Sequence, residues 1–270
     1  MRVDLASMNF GETVTNAWSV DLTGKVALIT GGSRGMGLAM ADAYAACGAA
    51  VVIASRKADP CVEAAAALTK RYGVDCLGVG CHVGDWDQCD ALVAQVIERY
   101  GRLDILVNNA GMSPLYDDLA SVSEALFDKV IAVNARGPFR LSSLAGTHMA
   151  ANGGGSIINV SSIAAVQPTP NALPYAMAKS GLNSMTIAMA RAFGPTVRVN
   201  CIMPGPFLTD IAKAWDMEAF NARARDTIPL QRGGEPDEVV GAALYLAGDL
   251  SSYTTGAVIK IDGGSAFSPA

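Results

Sequence analysis

Tyr175 and Lys179 stand four residues apart in Tyr-Ala-Met-Ala-Lys. On a helix, positions i and i+4 share a face. A free phenol ionises near pH ~10, and a neighbouring ammonium favours the phenolate and lowers that value. Such a pair makes a workable general acid or base. Ser162 lies 13 residues before Tyr175, at the end of an apolar run. In an open α/β sheet, ligands collect beyond the carboxyl ends of strands. That puts the Ser162 hydroxyl where it can hydrogen-bond a substrate oxygen. A hydrolase-type nucleophile is excluded, because there is no Gly-x-Ser-x-Gly elbow and the only histidines, His82 and His148, have no supporting pattern.

A second group of residues suits a phosphate. The segment Thr30-Gly31-Gly32-Ser33-Arg34-Gly35-Met36-Gly37 follows a β-branched run and opens an Ala-rich helical stretch. Glycines there permit a tight turn and close approach of main-chain N–H groups to a pyrophosphate, and the helix N-terminus adds partial positive charge. The next apolar run ends in Ser55-Arg56-Lys57. An acidic residue there would bind a ribose 2′-hydroxyl and repel a 2′-phosphate. A hydroxyl and the guanidinium groups of Arg34 and Arg56 suit the phosphate ester instead. The reading favours NADP over NAD.

These residues need a scaffold that brings distant turns to one edge. Nearly continuous apolar runs at 26–30, 50–55, 77–83, 103–108, 156–161, 198–202 and 258–261 read as parallel strands covered on both faces. Helical spacing fills 35–47, 58–72, 86–100, 123–135, 139–151, 175–193 and 236–247. The alternation implies an α/β fold: a single-domain, doubly wound (Rossmann) arrangement of about seven parallel strands flanked by helices. Residues 1–20 fall outside the pattern and read as an N-terminal extension. The catalytic domain is expected over 21–265, with a substrate lid over about 207–229 after the Pro-Gly turn.

The glycine turn, Asn108-Asn109-Ala110-Gly111, Asn134, Ser162, Tyr175, Lys179, Pro204-Gly205-Pro206-Phe207-Leu208-Thr209 and Ile261-Asp262-Gly263-Gly264 occur in that order. In this the chain resembles the short-chain dehydrogenase/reductase family over about residues 22–264. It looks most like the branch of 3-oxoacyl-carrier-protein reductases and gluconate- or sugar-alcohol-type dehydrogenases. The resemblance implies that Gly31, Gly35 and Gly37, with Ser33, Arg34 and Met36 among them, form the dinucleotide turn. It implies that Asn109, Ala110 and Gly111 flank the adenosine ribose. Asn134 would hold a water in a proton relay, and Ser162 would polarise the carbonyl. Tyr175 would be the acid/base. Lys179 would bind the nicotinamide ribose and lower the tyrosine pKa. Pro204, Gly205, Phe207 and Thr209 would fix the carboxamide. Members commonly carry Asp-Val after the third strand, with the carboxylate on the adenine amino group; this chain has His82-Val83. Imidazole accepts from that amino group only through an unprotonated nitrogen. The adenine contact is therefore expected to weaken or become pH-sensitive, unless backbone atoms serve the adenine and His82 faces solvent.

The implied activity is NADP-dependent interconversion of a ketone and a secondary alcohol. A lyase or epimerase with recycled cofactor and a non-catalytic dinucleotide sensor are the alternatives. Walls from 112–115, 163–173 and 207–229, with Met112, Leu115, Ile163, Val166, Leu173, Phe207, Trp215, Met217 and Phe220, suit a small carbonyl or alcohol substrate with hydrocarbon bulk. The formal charge of −5 disfavours nucleic acid and anionic membrane. No apolar run reaches bilayer length, and the first twenty residues lack a signal-peptide core. Six scattered cysteines without paired spacing read as reduced thiols of a cytoplasmic protein and give no metal site. Apolar long helices, which the family pairs across two-fold axes, point to a homodimer or homotetramer.

Overall fold

The computed structural model describes residues 19–209 and 215–266. Strands form where β-branched and other apolar residues run uninterrupted. These are β1 (Val26–Thr30), β2 (Ala50–Ser55), β3 (Cys76–Gly80), β4 (Ile105–Asn108), β5 (Gly155–Val160), β6 (Val197–Pro204) and β7 (Val258–Ile261). They build one parallel sheet in the order β3-β2-β1-β4-β5-β6-β7. Every residue of β1 is buried, and its side chains alternate between two cores. Ala27 and Ile29 face Met40, Tyr44, Leu68 and Leu246, whereas Val26 and Leu28 face Leu92, Val96, Leu141 and Met149. Helices α1 (Gly35–Ala46), α2 (Ala58–Tyr72) and α8 (Val240–Ala247) cover the first face. Helices α3 (Trp86–Tyr100), α5 (Gly137–Ala151) and α6 (Leu173–Phe193) cover the second. The strand order reverses at β1, so a crevice opens beyond the carboxyl ends of β1 and β4.

Several bounds differ from the sequence reading (β3 ends at Gly80 rather than 83, β4 starts at Ile105 rather than 103, and β6 runs on to Pro204), and two features differ in kind. Helical spacing breaks at Gly137-Pro138, yet α4 (Glu124–Ile131) runs into α5 without a gap, through a π-helical turn over Ala132–Arg136. The wider turn admits Pro138, which has no N–H for the helical ladder. The other difference is α7 (Met217–Thr227), which lies inside the expected lid. Its Phe220, Ala224 and Ile228 form a small core with Leu208 and Trp215. The stretch carrying α7 is closed at its neck. Phe207 and Gly234 make a parallel bridge, with Leu208 N–H donating to Gly234 O at 2.7 Å and Gly234 N–H to Pro206 O at 3.0 Å. Of the expected N-terminal extension, residues 1–18 lie outside the described residues, and Val20 packs against the first core.

Candidate active site

The phosphate-binding turn is built by two strand ends. The Thr30 hydroxyl donates to Val107 O at 3.2 Å and accepts from the N–H groups of Asn109 and Ala110, both at 3.1 Å. The Asn109 amide donates to Thr30 O and Gly31 O. This clamp leaves no room for side chains. Gly31 sits at φ +65°, and a Cβ there would lie 2.9 Å from Asn109 Nδ2. A Cβ on Gly37 would run into the carbonyl oxygen of Gly31. Gly35, at φ +55°, opens α1, and Arg34 at its N-cap gives no side-chain cap to the helix N–H groups. Thr209 lies over this turn, its Cγ2 3.3 Å from where a Gly35 Cβ would be. Met36 packs against the first core. A bare glycine cradle, uncapped by side chains at a helix N-terminus, fits a pyrophosphate.

At the end of β2, Ser55 Oγ lies 3.1 Å from Ser33 Oγ and donates to Lys57 O at 3.3 Å, while Arg34, Arg56 and Lys57 are exposed around it. Beyond β3, His82 Nδ1 accepts from Gly84 N–H at 3.1 Å. In neutral imidazole one nitrogen accepts and the other carries the proton. The accepting nitrogen is therefore already engaged, and Nε2 holds the hydrogen. This refines the expectation at His82: the neutral ring shows a donor, not an acceptor, to an amino group. Val83 is buried, and its carbonyl abuts Gly137. Arg136 donates to Gly84 O at 2.7 Å, so the π-turn also holds this loop.

The catalytic candidates converge at the ends of β4 and β5. Ser162 follows β5 and caps a 3-10 turn over Ile163–Ala165, accepting from Ala164 N–H at 3.1 Å. The Ser162 hydroxyl draws the Tyr175 phenol pKa down, but burial is the larger effect and holds Tyr175 above its ordinary value. Lys179 is buried one helical turn on, donates from Nζ to Val160 O at 2.7 Å and lies 5.6 Å from the Tyr175 ring centroid. Burial lowers its pKa to about 8. The net shift of Tyr175 is thus upward, opposite to the expected lowering, with burial as its main cause. The ammonium lies over the ring with its hydrogen bond directed to a peptide carbonyl, and desolvation of the phenol dominates.

Asn134 is fully buried in the π-turn. Its Nδ2 donates to Met112 O and Val130 O, both at 2.9 Å, and its Oδ1 accepts from Met112 N–H at 3.2 Å. The Asn134 side chain therefore holds the Met112 loop. The main-chain carbonyl of Asn134 gets no ordinary helical partner, because Pro138, four residues on, has no N–H to offer it. A Cβ on Gly111 would lie 3.0 Å from Asn134 Oδ1 and 3.6 Å from Lys179 Nζ, so the bare glycine lets the two approach. The site also uses residues that the motif reading missed. Ser180 Oγ ties α6 to Ala165 O at 2.8 Å, and the Tyr116 hydroxyl bonds the segment just before Tyr175. Neither has a local sequence signal.

Around this centre Leu115, Val166 and Leu173 are exposed, as a pocket rim requires. Phe207 and Phe220, both expected as pocket walls, are buried, one in the first core and one in the small core around α7. Pro204 ends β6, and Gly205 N–H donates to Ile261 O at 2.9 Å. All six cysteines are free thiols, and no metal-binding cluster occurs among the described residues. No described helix is long and apolar enough to cross a membrane.

Residues 31–266 match the family described as enoyl-(acyl carrier protein) reductase. The chain is 37% identical over 246 residues to dehydrogenase/reductase SDR family member 4 of Bos taurus, covering 90% of this chain and 88% of that protein. It is 35% identical over 246 residues to tropinone reductase-like 3 of Erythroxylum coca, covering 90% and 93%. Among solved structures, an NADPH-dependent 3-quinuclidinone reductase from Rhodotorula rubra superposes with TM-score 0.87 at 31% identity, over 92% of this chain and 94% of that one. L-sorbose reductase from Gluconobacter frateurii, complexed with NADPH and L-sorbose, gives TM-score 0.86 at 31% identity, over 93% and 99%.

Proposed function

This chain belongs to the short-chain dehydrogenase/reductase family, and from that membership we propose that it is an NADP-dependent enzyme interconverting a small ketone and its secondary alcohol, with Tyr175 as acid/base. One observation carries the reading: the buried Lys179 stands 5.6 Å from the Tyr175 ring and is tied by its Nζ to the end of β5, the strand that Ser162 follows, at the strand ends that also frame the glycine cradle. NADP is supported by Ser33, Ser55 and the basic Arg34, Arg56 and Lys57 where an acidic residue would select NAD. The NADPH named for two similar structures supports it further.

When bound, the nicotinamide supplies or accepts the hydride. In reduction, Tyr175 gives its proton to the carbonyl oxygen, and a raised pKa keeps the phenol protonated at neutral pH for that task. Ser162 hydrogen-bonds the same oxygen as negative charge develops. Lys179 would hold the nicotinamide ribose. Its pKa of about 8 suits it to resupply the proton, together with water on the Asn134 carbonyl. Asn109, Ala110 and Gly111 would flank the adenosine ribose, His82 and Val83 would border the adenine, and Pro204, Gly205, Phe207 and Thr209 would bound the carboxamide. The catalytic domain spans 21–265, and the segment 207–229, of which 210–214 lie outside the described residues, serves as the substrate lid. Exposed Phe139 on α5 and Met177 and Ile187 on α6 support pairing of two copies, as a cytoplasmic homodimer or homotetramer.

A panel of ketones and alcohols, assayed with NADPH, NADH, NADP and NAD, tests the reading. Turnover with an NADP couple, abolished by Tyr175→Phe, is expected. A Tyr175→Phe enzyme that keeps the wild-type rate overturns the assignment, and a clear NAD preference overturns the reading of the basic residues.

A further inference from the structure

We propose that Tyr116 is a positioning residue for this reaction. Its hydroxyl latches the first turn of α6, which carries Tyr175, to the loop after β4. The inference rests on the reading of Tyr175 as acid/base.

A helix begins with N–H groups that have no partner inside it. Here the local means of fixing that start are missing: Ala172 at the N-cap provides no side-chain cap, and Pro174 has no N–H. The partner comes from 57 residues away. Tyr116 OH accepts from Leu173 N–H at 2.7 Å and donates to Pro170 O at 2.7 Å. One hydroxyl thus binds both sides of the bend leading into α6, two residues before Tyr175.

The loop that supplies Tyr116 is itself held. Met112, four residues earlier, is gripped at both its N–H and its carbonyl by the Asn134 amide. A continuous set of contacts therefore runs from the π-turn through Met112 and Tyr116 to Leu173. It reaches Tyr175 from the side opposite the body of α6. Displacement of a reacting group by about 1 Å can lower a rate on the order of 100-fold. Both Tyr116 bonds lie near solvent, so water can replace them without unfolding the segment. Loss of the hydroxyl should blur geometry more than it reduces stability.

The test is Tyr116→Phe beside Tyr116→Ala and Tyr175→Phe, using ketone reduction, NADPH binding by fluorescence titration, melting temperature and amide hydrogen exchange. For Tyr116→Phe, kcat should fall about tenfold or more. NADPH affinity and Tm should stay at wild-type values, and exchange at Leu173 and Tyr175 should quicken. A Tyr116→Phe enzyme with wild-type kcat beside an inactive Tyr175→Phe enzyme overturns the inference alone, as does a defect confined to Tyr116→Ala, which would place the effect in the ring. A fall in kcat matched by weaker NADPH binding or a lower Tm also overturns it. An active Tyr175→Phe enzyme overturns the reading beneath it.

Discussion

The Lys179 ammonium donates to the carbonyl of Val160 at 2.7 Å, so a fully buried charge rests on a peptide dipole with no carboxylate among its ion-pair partners in the described residues. Desolvation lowers its pKa from 10.5 to about 8. A base held below its unfolded value penalises the fold wherever it must stay charged. The penalty is fully present below pH 8 and fades toward pH 10.5, where the unfolded chain also gives up the proton. Lys179→Met should therefore raise stability at pH 7 by about 1–3 kcal/mol while abolishing turnover. Its advantage should shrink between pH 8 and 10.5. Thermal denaturation at pH 7 and at pH 10 checks both the sign and the window.

Gly37→Ala should damage folding and cofactor binding together. Its methyl would strike the Gly31 carbonyl and come within 2.5 Å of Asn109 Nδ2, and both are fixed by the Thr30 clamp. Overpacking against backbone costs about 1–3 kcal/mol. Denaturant titration should show a loss in that range, and NADPH binding should weaken at least about tenfold, since 1.4 kcal/mol is a factor of ten.

His82→Asp should tighten NADPH binding. A carboxylate can accept from Gly84 N–H as the imidazole does, and its second oxygen remains to accept from the adenine amino group. One added hydrogen bond is worth about 0.5–1.5 kcal/mol, or roughly 2- to 12-fold in affinity. Fluorescence titration of both proteins with NADPH decides it, and unchanged affinity would remove His82 from the adenine contact.

Ser55→Glu should move cofactor preference toward NAD. The Ser55 hydroxyl sits 3.1 Å from that of Ser33, beside the glycine turn. A carboxylate there would repel a 2′-phosphate and accept from a 2′-hydroxyl. The ratio of kcat/KM for the two cofactors should change about tenfold or more, the effect of one lost charge-assisted bond. No change would mean that this corner does not meet the 2′ position.

The parallel strands were legible because burial on both faces demands unbroken apolar runs; β1, β2 and β7 have the expected bounds. The glycine turn is a local property, and helical spacing joins Tyr175 to Lys179; Ser162 enters the set only through the order of motifs along the chain. The π-turn was not legible, since Pro138 reads as a helix breaker unless the neighbouring turn widens to admit it. Helix α7 has few apolar residues. Its local signal is Asp216, whose carboxylate accepts from Glu218 and Ala219 N–H groups. Nothing near Tyr116 in the chain foretells a bond to Leu173. The protonation preference of Tyr175 also depends on burial, which spacing alone does not reveal.

The pairing of Phe207 with Gly234 has a corollary. Two points of departure stapled side by side make whatever hangs between them a cassette: its length and composition can be rewritten while the sheet below keeps its register. On the proposed reading, exchanging that stretch would alter what the site accepts while Ser162, Tyr175 and Lys179 keep their places.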